Sequence, residues 1–174
     1  ENEMSVSIKN SQFHNNKANE GSSIILSLKN RLNLEGCDFD YTPDKDQRYT
    51  FIKLTSAQSS LRLNSCSFKK DSNSESSFIQ PTIINMKSQD TIISGCKFTG
   101  FGENAIDINN EGSSTESFQF IQNDITGNYQ FLFVQNIKAQ VTFSDNIFHD
   151  FTLLSSNYML QIDFPNNGSS LLRS

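Results

Sequence analysis

An eight-residue pattern occurs six times along this chain of 174 residues. Each occurrence alternates apolar and variable residues at its start, has a turn-forming residue at position five and a small residue at position six, and closes on an apolar side chain. The closing residues lie 26, 29, 30, 27 and 23 positions apart, and they are Phe13, Phe39, Phe68, Phe98, Ile125 and Phe148. A repeat of roughly 20 to 50 residues indicates a solenoid, because no single unit can bury its apolar face alone.

The first half of each pattern predicts a β-strand. Val6 and Ile8 in the first unit are two residues apart with the polar Ser7 between them, which places both apolar side chains on one face of a strand. Position five then predicts a bend, because most of its residues tolerate turn or left-handed backbone conformations. These residues are Asn10, Gly36, Ser65, Gly95, Gln122 and Asp145. The closing apolar residue is expected on a second short strand.

A third strand is expected in each unit after a connection of variable length. The predicted third strands are Ile24–Leu28, Phe51–Leu54, Ile83–Met86, Ala105–Ile108, Phe131–Val134 and Tyr158–Ile162. Stacked in parallel, the units predict an all-β fold, a right-handed parallel β-helix of about six coils of 23–30 residues. An antiparallel sandwich would need a regular series of hairpin turns of roughly two to five residues, and this chain lacks one.

Residues 1–174 are expected to form a single β-helix segment of a longer solenoid. The chain begins with Glu1 rather than with methionine, the first unit starts at Val6 without a cap, and Ser169–Ser174 resembles Ser59–Asn64, where the third unit begins. Open strand edges at the ends of a solenoid need covering. We therefore expect further coils of the same chain or other protein subunits at both ends.

Position six predicts a column of stacked small side chains on the inside of the bend. Its members are Ser11, Cys37, Cys66, Cys96, Asn123 and Asn146. We interpret the column as a structural ladder in which free thiols pack as small hydrophobic side chains. A disulfide and a thiolate metal site remain alternatives, although parallel neighbouring side chains suit disulfide geometry poorly and the odd number of cysteines leaves one thiol over.

The segment from Phe13 to Ile24 resembles a repeat of the polymorphic membrane proteins and related surface β-helices. That repeat pairs a Phe-x-x-Asn element with a Gly-Gly-Ala-Ile element. Phe13 and Asn16 match the first element, and Gly21 and Ile24 match the second, with serines in place of the second Gly and the Ala. The other five units keep the framework without this signature. The whole chain also resembles the pectin-lyase-like β-helices in architecture, a fold that hosts lyases, hydrolases, adhesins and structural rods.

No catalytic residue is predicted in this chain. Glycoside hydrolysis needs two carboxyl groups within about 5 to 10 Å of each other, and the outward columns of the first and third strands contain no two acids in neighbouring coils. His14 and His149 each follow a closing Phe and are interpreted as isolated surface turn residues without a nucleophile beside them. An acidic cluster lacks the ligand order of a calcium loop and is interpreted as a solvated loop. It consists of Asp38, Asp40, Asp44 and Asp46.

Composition argues against two classes of partner. The net charge of −5 argues against nucleic-acid binding through a basic surface. No apolar stretch approaches the roughly 18 residues that a membrane-spanning helix needs. No cofactor or metal is predicted, and Asn167 in Asn-Gly-Ser is a candidate glycosylation site.

These features favour a non-enzymatic structural or adhesion solenoid at the cell surface or outside the cell, with variable loops displayed on a rigid rod. The loops between second and third strands are expected to be longest after Phe68 and shortest after Phe98 and Ile125. Two alternatives remain. One is a carbohydrate-active or carbohydrate-binding β-helix with its site in coils outside this segment. The other is an intracellular structural rod, for which reduced thiols are natural. Glycans remain candidate partners.

Overall fold

A computed structural model describes residues 4–16, 22–26, 30–42, 50–70, 82–101, 105–109, 117–127, 132–135, 140–150, 160–162 and 172–173. These residues form strands and short bends, and no helix occurs among them. In chain order the strands are β1 (Met4–Lys9), β2 (Gln12–His14), β3 (Ser22–Leu26), β4 (Asn30–Glu35), β5 (Asp38–Tyr41), β6 (Thr50–Asn64), β7 (Ser67–Lys70), β8 (Thr82–Ser94), β9 (Lys97–Phe101), β10 (Ile106–Asn109), β11 (Ser117–Ile121), β12 (Asp124–Gly127), β13 (Leu132–Gln135), β14 (Val141–Ser144), β15 (Ile147–His149), β16 (Leu160–Ile162) and β17 (Leu172–Arg173).

The strands form two parallel sheets, in which corresponding strands of successive units lie side by side. The second sheet contains the second strand of each unit, in the order β2–β5–β7–β9–β12–β15. The first sheet contains a row of first strands, β1–β4–β6–β8–β11–β14–β17, and a row of third strands, β3–β6–β8–β10–β13–β16. β6 and β8 belong to both rows, because each serves as the third strand of one unit and the first strand of the next.

Successive units pair in the register of the eight-residue pattern. In the first sheet Val6 lies opposite Leu32 and Leu32 lies opposite Leu61, and in the second sheet Phe39 lies opposite Phe68. The all-β parallel solenoid expected from the sequence is therefore confirmed. The expected number of six coils is corrected, because the described residues support about three turns.

The third strands differ in detail from the prediction. β6 and β8 contain the predicted segments Phe51–Leu54 and Ile83–Met86 in full, and the other third strands are displaced by one or two residues at their ends. Leu28, Phe131 and Tyr158 lie outside the described residues. The sequence analysis missed that β6 and β8 continue without a break into the next unit. β6 and β8 stay paired there because the register between them shifts on both sides of Ser59, which accommodates the unequal numbers of residues in the two strands.

The core is built from the inward side chains of the strands. The rings of Phe13, Phe39, Phe68 and Phe98 stack one on the next, with centroids 4.5, 4.8 and 5.2 Å apart and planes within 8° of parallel. This spacing is close to the roughly 4.8 Å between neighbouring strands, so the repeat itself places each ring on the ring of the next coil. Burying each Phe contributes about 1.5–3 kcal/mol to stability.

The connections between second and third strands vary in length along the solenoid. Residues 71–81 connect β7 to β8 and form the longest of these connections, whereas residues 102–105 and 128–131 form the shortest. The order of lengths predicted from the sequence is confirmed. The framework therefore accommodates connections of different length where the chain leaves the second sheet.

Candidate functional site

The bend between first and second strands has the same backbone conformation in every repeat. All six position-five residues have a positive φ: Asn10 at 49°, Gly36 at 59°, Ser65 at 53°, Gly95 at 61°, Gln122 at 55° and Asp145 at 56°. Side chains other than glycine adopt this left-handed conformation uncommonly. The bend turns the chain so that position six faces inward and the second strand begins one residue later.

The bend leaves the amide of position six without a backbone partner in the neighbouring coil. The amides on either side of it are paired, as shown by Ser65 N, which donates to Ser94 O at 3.0 Å, and by Ser67 N, which donates to Cys37 O at 2.9 Å. A buried amide with no partner costs about 1–3 kcal/mol. In this solenoid the side chain at position six of the following coil accepts a hydrogen bond from that amide.

Asparagine fills this role in the later coils. Cys96 N donates to Asn123 Oδ1 at 2.9 Å, and Asn123 N donates to Asn146 Oδ1 at 2.9 Å. The side-chain amides reach back to the preceding coil, where Asn123 Nδ2 donates to Ile93 O at 3.1 Å and Asn146 Nδ2 donates to Phe120 O at 2.8 Å. Each asparagine therefore binds the preceding coil at two backbone groups.

Cysteine fills the same role in the earlier coils. Cys66 N donates to Cys96 Sγ at 3.4 Å, and the amides of Ser11 and Cys37 donate to the sulfurs of Cys37 and Cys66. Each thiol donates to the carbonyl two residues before it, as Cys96 Sγ does to Ser94 O at 3.4 Å. The Ser11 hydroxyl makes the same type of bond to Lys9 O at 2.9 Å.

The six position-six residues thus lie in one column on the inside of the bend. Cys37, Cys66, Cys96 and Asn123 are buried, whereas Ser11 and Asn146 at the two ends are partly exposed. All three thiols are free. Burial raises the pKa of the Cys37 thiol, and the hydrogen bond with Cys66, together with burial, raises the pKa of the Cys96 thiol. Cys37 and Cys96 are therefore held as neutral thiols, which act as hydrogen-bonding groups rather than as nucleophiles. The hydrogen bond with Cys96, in contrast, lowers the pKa of the Cys66 thiol to about 7.

The outward face of the second sheet carries polar and charged side chains that the sequence analysis missed, because it compared only the first and third strands. Two columns form this face, at positions seven and nine of the repeat. Position seven has Gln12, Asp38, Ser67, Lys97, Asp124 and Ile147, and position nine has His14, Asp40, Lys69, Thr99, Thr126 and His149. Extending the eight-residue pattern by one residue would have found this face.

His149 lies among polar side chains at one end of this face. Its Nε2 is 2.7 Å from Asp124 Oδ1 and 2.9 Å from Thr126 Oγ1, and its Nδ1 is 3.2 Å from Asp150 Oδ2. The hydrogen bond to Asp124, followed by the bond to Asp150, raises the pKa of His149. The interpretation of His149 as an isolated turn residue is therefore wrong. Strand pairing brings Asp124 and Thr126 of the preceding coil beside it.

The contact between Thr126 and His149 has the distance expected of a nucleophile and a general base. It overturns the premise that no nucleophile lies beside a histidine in this chain. However, Asp124 is closer to the same ring nitrogen than Thr126 is, and it stabilises the protonated imidazole. A ring nitrogen that donates its hydrogen to Asp124 cannot accept the Thr126 proton, so the arrangement favours a charged tie between two coils.

The His14 side chain of the first coil likewise contacts a carboxylate of the second coil. Its Nδ1 is 2.6 Å from Asp40 Oδ2, and its Nε2 is 3.3 Å from Gln12 Oε1. Asp38 and Asp40 lie on β5, which corrects their assignment to a solvated loop. Asp44, Asp46 and Asn167 lie outside the described residues. Among the residues that the structure does describe, no group of three or more His, Cys, Asp or Glu side chains is arranged to hold a metal ion.

No family model, curated protein or solved structure matches this chain. The described strands and bends include no helix of the length and hydrophobicity needed to cross a bilayer. The interpretation of its function therefore depends on the geometry of its own coils.

Proposed function

We propose that this chain is a non-enzymatic structural or adhesion solenoid, which presents variable loops from a rigid rod at the cell surface or outside the cell. The observation that carries the proposal is the contrast between its framework and its connections. The position-six side chains and the stacked rings are engaged in holding one coil to the next. The connections after the second strands, in contrast, range from residues 102–105 to residues 71–81.

Loops of unequal length on a rigid scaffold are typical of binding surfaces, because the scaffold holds them in place while their sequences are free to differ. The resemblance of Phe13–Ile24 to the repeat of the polymorphic membrane proteins supports a surface location. The resemblance of the chain to the pectin-lyase-like β-helices is compatible with an adhesin as well as with an enzyme. The partners of such a rod would be glycans or proteins at its loops, and further coils or subunits at its ends.

A carbohydrate-active or carbohydrate-binding β-helix is the second candidate. The observation in its favour is the contact of 2.9 Å between Thr126 Oγ1 and His149 Nε2 on an exposed strand face. Its weakness is the carboxylate of Asp124 at 2.7 Å from the same nitrogen, which accepts the hydrogen of that nitrogen and raises the pKa of His149. A site in coils outside this segment is the other form of this candidate.

An intracellular structural rod is the third candidate, and three free, buried thiols favour it. Stacked thiols persist in a reducing compartment without competing oxidation. Labelling of intact and permeabilised cells with an antibody against the chain separates this candidate from the surface rod. The surface rod is labelled on intact cells, whereas labelling only after permeabilisation would contradict the proposed location.

Enzymatic activity is tested by incubating the purified chain with a panel of oligosaccharides and following their masses. The proposal predicts no turnover for the natural chain, and the variants Thr126→Val and His149→Gln behave like it. Turnover that disappears in either variant would replace the proposal with the carbohydrate-active candidate. Display by the longest connection is tested by binding of the intact chain to a glycan array. The control is a variant in which residues 71–81 are replaced by a Gly-Ser segment of equal length.

A further inference from the structure

Three successive coils place a cysteine at position six, and two of these cysteines contact each other closely across the coils. Cys66 lies opposite Cys96, because the residues on both sides of them pair in register, as Asn64 does with Ser94. The Cys96 Sγ atom is 3.4 Å from the Cys66 N atom, from which it accepts a hydrogen bond. Since neighbouring strands are roughly 4.8 Å apart, the sulfurs of Cys66 and Cys96 are within reach of each other.

The hydrogen bonds around Cys66 favour a thiolate at this one position of the column. The Cys96 thiol donates a hydrogen bond to the Cys66 sulfur, and this bond is the largest cause of the lowered pKa of Cys66. The amide and the thiol of Cys37 donate to the same sulfur and lower its pKa as well, whereas burial opposes them. The thiolate is the form of cysteine that reacts with oxidants, so Cys66 is the most reactive of the three thiols.

The two sulfurs lie one residue beneath the surface of the bend. Cys66 and Cys96 are each 1% exposed, whereas the position-five residues that precede them, Ser65 and Gly95, are exposed. Gly95 has no side chain, and a methyl group added to it would meet nothing closer than Ser65 Oγ at 3.6 Å. These small residues keep the bend open to solvent directly before each cysteine. A small oxidant such as hydrogen peroxide therefore needs only a slight parting of the two coils to reach the sulfurs.

We propose that Cys66 and Cys96 form a reversible redox pair, in which Cys66 reacts with a peroxide and Cys96 closes a disulfide between the two coils. The Cys66 thiolate attacks one peroxide oxygen, so that an S–O bond forms, the O–O bond breaks, and the departing hydroxide takes up the proton that Cys66 released. The Cys96 sulfur then attacks the Cys66 sulfenic acid, so that the S–S bond forms, the S–O bond breaks, and hydroxide leaves as water with the Cys96 proton. The two thiols lose two electrons, and the peroxide is reduced to two molecules of water.

The order of the two steps follows from the hydrogen bond between the sulfurs. While Cys66 is reduced, its hydrogen bond with the Cys96 thiol, together with burial and the negative charge of its thiolate, raises the pKa of Cys96. Oxidation of Cys66 to the neutral sulfenic acid removes that charge, so the pKa of Cys96 falls and its sulfur becomes able to attack. Cys66 therefore reacts first, and Cys96 resolves the intermediate.

The disulfide is expected to be strained and easily reduced. Side chains at position six start from strands roughly 4.8 Å apart, whereas the Cβ atoms of a disulfide are about 3.8 Å apart. The two coils must approach each other to form the bond, and strained disulfides are reduced more readily than structural ones. All three cysteines are free in this structure, which corresponds to the reduced form.

Oxidation would close a covalent ring of the chain that contains the longest connection, residues 71–81, because this connection lies between Cys66 and Cys96 in the sequence. Both ends of the connection would then be tied to one point of the framework. This inference goes beyond the proposed function and does not depend on it, since the pair would react in the same way in a rod of any purpose.

Oxidation of the purified natural chain tests the pair directly. The reduced chain is treated with hydrogen peroxide, its free thiols are counted after denaturation, and linked peptides are identified by mass spectrometry. We expect the loss of two of the three thiols, a link between Cys66 and Cys96 within one chain, and recovery of all three thiols in a glutathione buffer. A parallel sample of a small free thiol verifies that the peroxide is active.

Four results would overturn the proposal. They are three thiols that persist, a dominant link through Cys37, an oxidised Cys66 without any link, and a disulfide that resists the glutathione buffer. A folded chain that gives the same mixture of links as the chain in urea would show reaction through unfolding and would also overturn it.

Serine variants separate the roles of the three cysteines. Serine is compatible with this position, because the Ser11 hydroxyl makes the same bond to the carbonyl two residues before it as the thiols do. Cys37→Ser is the matched control and should still form the link, whereas Cys66→Ser should form none. A variant with both Cys37→Ser and Cys96→Ser should stop at a sulfenic acid on Cys66, which dimedone traps.

Equal circular dichroism spectra verify that the serine variants are folded. A disulfide in Cys66→Ser, or its loss in a folded Cys37→Ser, would contradict the assignment of the pair. The measurement on the natural chain decides the proposal even if a variant fails to fold.

Discussion

Replacing Asn123 with alanine tests whether position six supports the backbone between coils. Asn123→Ala removes the acceptor of the Cys96 amide and the two hydrogen bonds that Nδ2 donates to Ile93 O and Asn146 Oδ1. A buried amide without a partner costs about 1–3 kcal/mol, and each lost hydrogen bond contributes about 0.5–1.5 kcal/mol. The free energy of unfolding is therefore expected to fall by about 2–6 kcal/mol.

The assay is urea unfolding followed by circular dichroism, with the free energy taken from the midpoint and the slope. Asn33→Ala is the matched control, because Asn33 is an outward asparagine of β4 whose side chain donates one exposed hydrogen bond to Ser5 at 3.3 Å. The Asn33→Ala substitution is expected to lower the free energy of unfolding by no more than about 0.5 kcal/mol.

A second variant, Asn123→Cys, restores an acceptor of the type that Cys96 provides to Cys66 at 3.4 Å. This variant keeps the Cys96 amide paired but loses both hydrogen bonds that Asn123 Nδ2 donates. Its loss of unfolding free energy should therefore lie between that of the control and that of Asn123→Ala. The reasoning is refuted if Asn123→Ala destabilises the chain no more than Asn33→Ala does.

Three further predictions concern the bend, the ring stack and the charged tie. Gly95→Ala should destabilise the chain by about 1–2 kcal/mol, because the φ of Gly95 is 61°, while the added methyl group meets nothing closer than 3.6 Å. Gln122→Gly, at φ 55°, should raise the urea midpoint where Gly95→Ala lowers it. The rise should be the smaller of the two shifts, because glycine increases the conformational entropy of the unfolded chain. Phe68→Ala should lower stability by about 3–5 kcal/mol, and Phe13→Ala, at a ring stacked on one described neighbour, should lower it less; equal losses in thermal melts would contradict the one-sided stack. The raised pKa of His149 means that its bond to Asp124 stabilises the fold fully below the ordinary value of 6.5 and loses this effect as the pH rises through the raised value. The difference in Tm between the natural chain and His149→Gln should therefore narrow with rising pH, and a constant difference would rule out the charged tie.

The parallel solenoid could be predicted from the sequence because its signals are short-range. The alternation of Val6 and Ile8 with polar residues is a property of one strand, and the left-handed bend depends on one residue such as Gly36 or Gly95. Repetition of these local signals at intervals of 23 to 30 residues then sets the register between coils. A single sequence with such a repeat has few other ways to bury its apolar faces.

The neighbours of each side chain across the coils were decided by the tertiary structure. Thr126 and His149 are separated by 23 residues and meet at 2.9 Å only because β12 and β15 pair in register. The continuous strands β6 and β8 likewise depend on pairing with each other around Ser59, which no local preference of that segment indicates.

The sequence by itself determined the period, the position of the bend and the identity of the side chain at each position six, because these depend on residues close together in the chain. The tertiary structure decided what those side chains do. Asn123 accepts an amide from Cys96, 27 residues earlier, only after stacking has buried that amide next to it. Hydrogen bonds and charged ties between coils depend on distances in space, and these exist only when the lengths of all intervening connections have been accommodated.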